Sequence, residues 1–295
     1  MRGRKAKAVK LRESRHVKVA RIIYAQTQAV FPKYSHRFSP KKFTLPQLAA
    51  CVLLCFYFKM SYRDFEELLL MSKELRDALE LTRVPDYSTL NRMYHRFRAS
   101  HLDKMNEALL STLKQAGLVE EEVIAVDATG FRPTNASAYF QTRRGKPFRR
   151  WLKGVYAVGA SSQMILAAVH AVGPSNDAPH LSTLKRRASR YGRRDERGHP
   201  AWVTLADSGF DSAKIGPRDI IPPIRRGGDL KAAQRKARAE LVSHARLDGL
   251  FGQRWKDETV HSVIKRKFGD AVRSVKRACQ NRESRVKGFI YNAHR

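Results

Sequence analysis

The 295-residue sequence is poor in cysteine. Its three cysteines, Cys51, Cys55 and Cys279, are too few for a disulfide framework, and none has the C-x-x-C spacing of a zinc or redox motif. Cys51 and Cys55 stand four residues apart in an apolar run, which is typical of small core residues on a buried helix. A reduced, intracellular setting fits this cysteine content.

Long hydrophobic runs are also absent. The longest, from Leu45 to Met60, contains Gln47 and is too short for a membrane span. The N-terminus is basic but lacks the apolar segment of a signal peptide, and no lipidation motif or basic amphipathic helix with a clean apolar face is present. No repeat of solenoid length occurs. We therefore expect no membrane partner and a cytoplasmic protein.

Acidic residues are scarce relative to basic ones, at 27 against 58, so the formal net charge is +31. A surface this basic repels itself unless an anion neutralises it, which makes nucleic acid the first partner to consider. Residues 1–44 hold 13 Lys or Arg and one acid, whereas residues 45–120 hold ten of each. This distribution predicts a basic N-terminal arm over 1–44, a domain over 45–120 and a second cationic domain over 121–295.

The middle segment carries signals for helix starts. Thr44 with Gln47 and Ser61 with Asp64 have the spacing of capping boxes, and Asp86 or Ser88 precedes another helix. The short helices predicted between 61 and 99 leave open a helix-turn-helix. We predict an all-α domain here, preceded by a helix in the second half of the arm.

From Val123 onward, the pattern changes to β-branched runs. VIAVDATG, KGVYAVGAS, MILAAVHAVG and WVTLADSG are strand-like, and IIPPI suits a sheet edge because Pro cannot donate a hydrogen bond. Helices are predicted in APHLSTLKRRASRYG, over 229–247 and in RWKDETVHSVIKRKFGD. This order predicts an α/β domain with a mixed sheet and helices packed on it.

Two acidic residues end predicted strands. Asp127 follows VIAV and Asp207 follows VTLA, each with a glycine close behind, so both can point into a crevice above the sheet. The alternative is a structural role, because Asp before Gly is common in turns.

The predicted helix over 254–268 supplies a third acid. Its residues Arg254, Glu258, His261 and Lys265 share one face, whose simplest explanation is a surface helix with i, i+4 ion pairs. Asp257 projects close to the adjoining apolar stripe and is not excluded as the functional acid. For His261, a satisfied or surface histidine is favoured over a contact with DNA or a ligand water.

Three carboxylates from two strand ends and one helix can hold two divalent cations. Hard oxygen ligands suit Mg²⁺ or Mn²⁺. Such a pair can activate a water or a 3′-hydroxyl at a phosphodiester, while the surrounding cations hold the DNA backbone. Without metal, the carboxylates repel one another and at least one binds protons more readily.

These residues resemble the DDE transposases of bacterial and archaeal insertion sequences, in the group with a Tyr-Arg-Glu-Lys signature. That signature is Tyr, two residues, Arg, three residues, Glu, six residues, Lys, and it is matched by Phe251, Arg254, Glu258 and Lys265, with Phe in place of Tyr. The register selects Glu258 over Asp257. VDATGF, SAYFQTRRGKPFRRWLKG, TLADSGFDS and PDYSTLNRMYHRF are also similar to segments of this family.

The resemblance implies an RNase H-like catalytic domain over 121–295, with a mixed five-stranded sheet flanked by helices. An all-α domain for DNA binding or dimerisation, over 45–120, would precede it. The implied ligands of two Mg²⁺ (or Mn²⁺) are Asp127, Asp207 and Glu258. The implied DNA contacts are Arg254 and Lys265, with Lys153 and Arg150 as further candidates.

The resemblance also implies a function. The protein would bind the terminal inverted repeats of its element, cleave the DNA and join the 3′ ends to target DNA by two-metal-ion phosphoryl transfer. It would act on double-stranded DNA as a homo-oligomer, at least a dimer, associated with the nucleoid. The alternatives are a catalytically inactive or repurposed sequence-specific DNA-binding protein, a metal-dependent nuclease without strand transfer, and a basic RNA-associated structural protein.

Overall fold

The computed structural model describes residues 13–133, 151–225 and 230–295. These residues form two compact units, one of residues 13–55 with 60–95 and one of residues 56–59 with the described residues from 96 onward. The first unit is helical and the second contains the sheet. The domain boundaries expected from the sequence remain a prediction.

The N-terminal part is built from short helices. They are α1 (Arg15–Val30), α2 (Leu45–Phe58), α3 (Tyr62–Met71), α4 (Lys73–Ala78) and α5 (Tyr87–Arg96).

Two predicted capping boxes are confirmed. The Gln47 backbone N–H donates to Thr44 Oγ1 at 3.2 Å and the Thr44 N–H to Gln47 Oε1 at 2.9 Å. Ser61 and Asp64 make the same reciprocal pair at the start of α3. These local signals fix where the helices begin, because each pair satisfies N–H groups that the helix leaves unbonded.

Polar contacts, one of them buried, connect helix α1 and its neighbours within the first unit. Tyr24 donates to Glu80 at 3.1 Å, and Thr27 donates to the Pro46 carbonyl oxygen at 3.0 Å. Gln47 in turn donates to the Glu80 carbonyl oxygen at 2.7 Å. The helix predicted in the basic arm is therefore present and belongs to the helical unit.

Helix α2 carries the apolar run of the sequence. Its Cys51 and Cys55 are free and buried, and burial raises the pKa of the Cys51 thiol to about 12, as expected for core residues. Among the described residues, no single helix combines the length and apolar content needed to cross a membrane. The pair α2 and α3, bent by 104°, passes that test only when taken together.

The second unit contains all the strands that the structure describes. Its helices are α6 (Ala99–Gln115), α7 (Leu181–Ala188), α8 (Ala233–Leu247), α9 (Trp255–Phe268) and α10 (Arg277–His294). Its strands are β1 (Val123–Pro133), β2 (Trp151–Gly159), β3 (Ile165–Gly173), β4 (Val203–Ala206), β5 (Asp219–Ile220) and β6 (Ala271–Val272).

The sheet is mixed, as predicted. Five strands lie in the order β3-β2-β1-β4-β5, and the short β6 pairs with the far end of β1. Strand β2 pairs antiparallel with β1 and with β3. Strands β4 and β6 pair parallel with β1, and β5 pairs parallel with β4. Strand β5 lies at an edge of the sheet, but it contains only Ile220 of IIPPI, the segment predicted as an edge strand, and the prolines follow the strand.

Side chains along a strand alternate in direction, so β1 presents apolar side chains to both faces of the sheet. Helices pack on each face. Ile124 and Val126 pack on one side in a cluster with Leu181 and Leu184 of α7. Val123 belongs to a second cluster, which includes Val242 and Ala245 of α8. This sandwich of helices around the sheet fixes the backbone of β1, on which the candidate site is built.

Candidate active site

The pairing of β1 with β4 brings the first two acids together. The two strands run parallel with Val126 opposite Ala206, and Asp127 and Asp207 are the next residues along the chain. Strand β1 does not end at Asp127, so that expectation was wrong: it continues to Pro133, and Asp127 pairs with Tyr156 of β2. The parallel pairing with β4 ends at Val126, the residue before Asp127.

Asp207 caps the turn that follows β4. Its Oδ1 accepts the Gly209 backbone N–H at 2.9 Å. Asp207 therefore has the structural role in a turn that was considered as the alternative. It also lies beside Asp127. Burial raises the pKa of Asp127 and the charge of Asp207 adds to that rise, while the positive charges of His261 and Arg254 oppose it.

Helix α9 packs against β1 and β2 and directs Asp257 inward. The Asp257 side chain is 0% exposed, and the Nε2 atom of His261 lies 2.9 Å from its Oδ1. The other ring nitrogen of His261, Nδ1, lies 3.9 Å from Oδ2 of Asp127. His261 therefore stands between two carboxylates, with its ring against Tyr156 at a centroid distance of 5.3 Å.

Burial shifts the pKa values of Asp257 and His261, and the charges within the group modify these shifts. Burial raises the pKa of Asp257 to about 6, a rise that the charge of Asp127 increases and that of His261 limits. Burial alone would lower the pKa of His261, but the Asp257 and Asp127 carboxylates outweigh it and the net shift is upward. Because the three groups interact, their apparent pKa values belong to the coupled set and not to any one residue.

Glu258, the next residue, faces the opposite environment. Its side chain is 56% exposed, and its Oε1 accepts a hydrogen bond of 2.7 Å from Arg254 Nη2. The i, i+4 ion pair expected from the sequence is thus present. Lys265 lies on the same helix, close enough to His261 for its positive charge to oppose the rise in the pKa of that histidine.

The other predicted DNA contacts have different settings. Lys153 lies on β2 with a side chain only 11% exposed, and it forms an ion pair of 2.6 Å with Asp177. Its ammonium group also donates to the Ser175 carbonyl oxygen. Arg150 and residues 134–149 before it lie outside the described residues.

A divalent cation was expected beside these acids. Across residues 13–133, 151–225 and 230–295, no group of three or more His, Cys, Asp or Glu side chains is arranged to hold a metal ion. The donor chemistry nevertheless fits, because carboxylate oxygens suit a divalent cation and a cation would offset the rise that the Asp207 charge causes in the pKa of Asp127.

The sheet order, the flanking helices and the paired acids on β1 and β4 define an RNase H-like α/β domain. The family described as transposase DDE domain matches residues 119–292, which is more than half of the chain. The chain belongs to this family of DDE transposases. Membership of the family implies DNA as its partner. The comparison with curated proteins found no match.

Proposed function

We propose that the protein is the transposase of an insertion sequence, in the group with the Tyr-Arg-Glu-Lys signature. It binds the terminal inverted repeats of its element, cleaves them and joins the resulting 3′ ends to target DNA as an oligomer, at least a dimer. The observation that carries this proposal is the placement of Asp127 beside Asp207 at the end of the β1–β4 pairing, with α9 packed against the same strand.

We assign the third catalytic carboxylate to Glu258. A group that serves a phosphodiester must be reachable from solvent, and Glu258 is more than half exposed, whereas Asp257 is fully buried. The signature register supports the same residue. To act together with Asp127 and Asp207, the Glu258 side chain must leave Arg254 and turn toward them. The Arg254 guanidinium is then available to a DNA phosphate.

Asp127, Asp207 and Glu258 would hold two Mg²⁺ or Mn²⁺, which supply Lewis-acid stabilisation of the attacking and leaving oxygens when bound. The remaining work falls to the chain's own residues. Arg254 and Lys265 bind backbone phosphates beside the acids. His261 lies 3.9 Å from the Asp127 carboxylate and 2.9 Å from that of Asp257, so its role would be to position and electrostatically support Asp127.

The net charge of +31 supports binding along an extended stretch of duplex. Each phosphate contact releases counterions, so the logarithm of affinity falls by roughly 0.9 per contact for each unit of log salt. Lys153 contributes less to this binding than Arg254 or Lys265 because its charge is already matched by Asp177.

The test is a cleavage and joining assay on DNA that carries the ends of the protein's own element, in Mg²⁺ and then Mn²⁺. We expect Asp127→Asn and Asp207→Asn each to lose cleavage by roughly a thousandfold, about 4 kcal/mol of activation free energy, with DNA binding retained. Pre-cleaved ends separate joining from cutting, so a nuclease without strand transfer cuts but leaves these ends unjoined. Cleavage at the wild-type rate in either variant removes that residue from the site.

Two observations favour a second candidate, a repurposed DNA-binding protein without catalysis. Glu258 is held by Arg254 in the structure, and Phe251 replaces the signature tyrosine. That candidate predicts specific binding to the element's ends, with no nicking by the wild-type protein in either metal. Nicking that depends on Asp127 rejects it.

A further inference from the structure

An open pocket of about 450 Å³ lies beside the turn that holds Asp207. Gly209 links the two, because it lines the pocket while its backbone N–H donates to the Asp207 carboxylate. The other polar lining residues are Asn176, Asp211, Ser212, Arg235 and Arg238. All of them belong to the second compact unit, so the pocket is formed within one body of the protein.

The charge inside this pocket is unbalanced. Asp211 pairs with Arg235 at 2.6 Å and also with Arg238, so one carboxylate faces two guanidinium groups. The Ile224 backbone N–H donates to the same carboxylate at 3.0 Å and helps to hold it in place. Since one positive charge remains unmatched by Asp211, the pocket favours an anion.

The arginines also have unused donors. Among the described residues, the buried Nε atoms of both Arg235 and Arg238 have no hydrogen-bond acceptor. A buried N–H group without an acceptor is unfavourable, so a change of side-chain rotamer that gives these atoms an oxygen acceptor is favourable. Arg235 lies in the first turn of α8, which contains no acidic residue, and the N-terminal end of a helix attracts negative charge.

We propose that this pocket binds a phosphate group of the DNA backbone close to the bond that the Asp127–Asp207 site cleaves. Arg235 and Arg238 supply the charge, and Ser212 and Asn176 supply neutral donors at the wall. The choice of DNA as the source of the phosphate rests on the proposed function, whereas the affinity of the pocket for a phosphate group does not.

The main variant is Arg235→Gln, and Lys236→Gln is its matched control. Arg235 is 41% exposed, so its loss is compatible with folding, and Lys236 is an exposed residue of the same helix with the same charge. Binding to a duplex that carries the element's end is measured by fluorescence anisotropy without divalent metal, over a range of salt. We expect affinity to fall about tenfold in Arg235→Gln and the salt slope to drop by about one phosphate contact. Lys236→Gln should change affinity less than threefold.

A second variant keeps both ion pairs of Asp211. Ser212→Asp adds a negative charge at the exposed edge of the pocket and should also weaken DNA binding. This variant tests the proposal even if Arg235→Gln fails to fold. Inorganic phosphate is the competing ligand. If it raises the melting temperature of the wild type but not of Arg235→Gln, and DNA affinity is the same in both, the pocket is a site for free phosphate and the DNA assignment is overturned.

The two proposals fail separately. If the wild type does not cleave DNA in either metal but Arg235→Gln still weakens binding, the phosphate pocket stands and the proposed activity falls. If cleavage depends on Asp127 but neither Arg235→Gln nor Ser212→Asp alters DNA affinity or its salt slope, the pocket proposal is wrong and the active site stands.

Discussion

Asp257 and Glu258 are adjacent in the chain but occupy opposite environments. Asp257 is fully buried and faces His261 at 2.9 Å, whereas Glu258 is more than half exposed and faces Arg254 at 2.7 Å. The 100° rotation between successive helical residues produces this division, since α9 packs one face against β1. One acid therefore suits a structural or positioning role and the other suits contact with substrate.

The first prediction concerns the proton on His261. Because the Asp257 carboxylate raises the pKa of His261, Asp257→Asn should lower that pKa. The measurement is an NMR titration of the imidazole resonances. Glu258→Gln is the control and should leave the midpoint unchanged. A midpoint that is the same in Asp257→Asn and the wild type would show that the two side chains do not interact in solution.

The second prediction concerns the Arg254–Glu258 pair. The Glu258 side chain is exposed, and exposed i, i+4 pairs contribute only about 0.3–0.5 kcal/mol. Arg254→Gln, Glu258→Gln and the double variant should therefore have urea unfolding free energies within about 1 kcal/mol of the wild type. A double-mutant coupling much larger than this would mean that the pair holds the helix in place, and any loss of activity would then be structural.

The third prediction concerns Lys153, a DNA contact in the sequence-based interpretation. Lys153→Met leaves the Asp177 carboxylate without its partner in a largely buried setting, so we expect destabilisation of about 2–4 kcal/mol in urea unfolding. DNA affinity should change no more than in Lys214→Met, a control at an exposed position. A large loss of affinity with unchanged stability would restore Lys153 to the DNA-binding surface.

The fourth prediction concerns Lys287 of α10, whose ammonium group donates to the Gly269 and Ala271 carbonyl oxygens. Burial lowers the pKa of Lys287 to about 8 in the folded protein. Between about pH 8 and the unfolded pKa near 10.4, the unfolded state holds a proton that the folded state has lost. The free energy of unfolding therefore gains a contribution that rises with pH across this window.

Unfolding of wild type and Lys287→Met at several pH values from 7 to 10 tests this sign. The difference in unfolding free energy in favour of the wild type should widen above pH 8. Lys236→Met, at an exposed position, should show no such trend. A gap that narrows as pH rises would contradict the lowered pKa.

Much of the fold was predictable because its signals are local. The capping pairs at Thr44 and Ser61 and the β-branched runs of β1 and β4 depend only on neighbouring residues. Helix α10 was missed, although Val286, Phe289, Ile290 and Ala293 have helical spacing and are buried. The basic residues between them obscure that apolar stripe, so no helix was predicted after RWKDETVHSVIKRKFGD.

The site was predictable only in part. Helical periodicity placed Asp257 near the apolar stripe of α9, but burial depends on the sheet that packs against it. The position of His261 between Asp127 and Asp257 requires contacts from two elements. The phosphate pocket beside Asp207 brings Asp211 together with Arg235 and Arg238, more than 20 positions away in the chain. No local sequence pattern predicts it.

The most direct test of the account compares single-turnover cleavage of the element's end by wild type, Glu258→Gln and Asp257→Asn. Both substitutions remove one charge with little change in shape, so the pair isolates which acid the reaction needs. We predict that Glu258→Gln loses cleavage by roughly a thousandfold, about 4 kcal/mol, while Asp257→Asn retains it within about tenfold. Loss of cleavage in Asp257→Asn with full activity in Glu258→Gln would contradict the assignment of the third carboxylate.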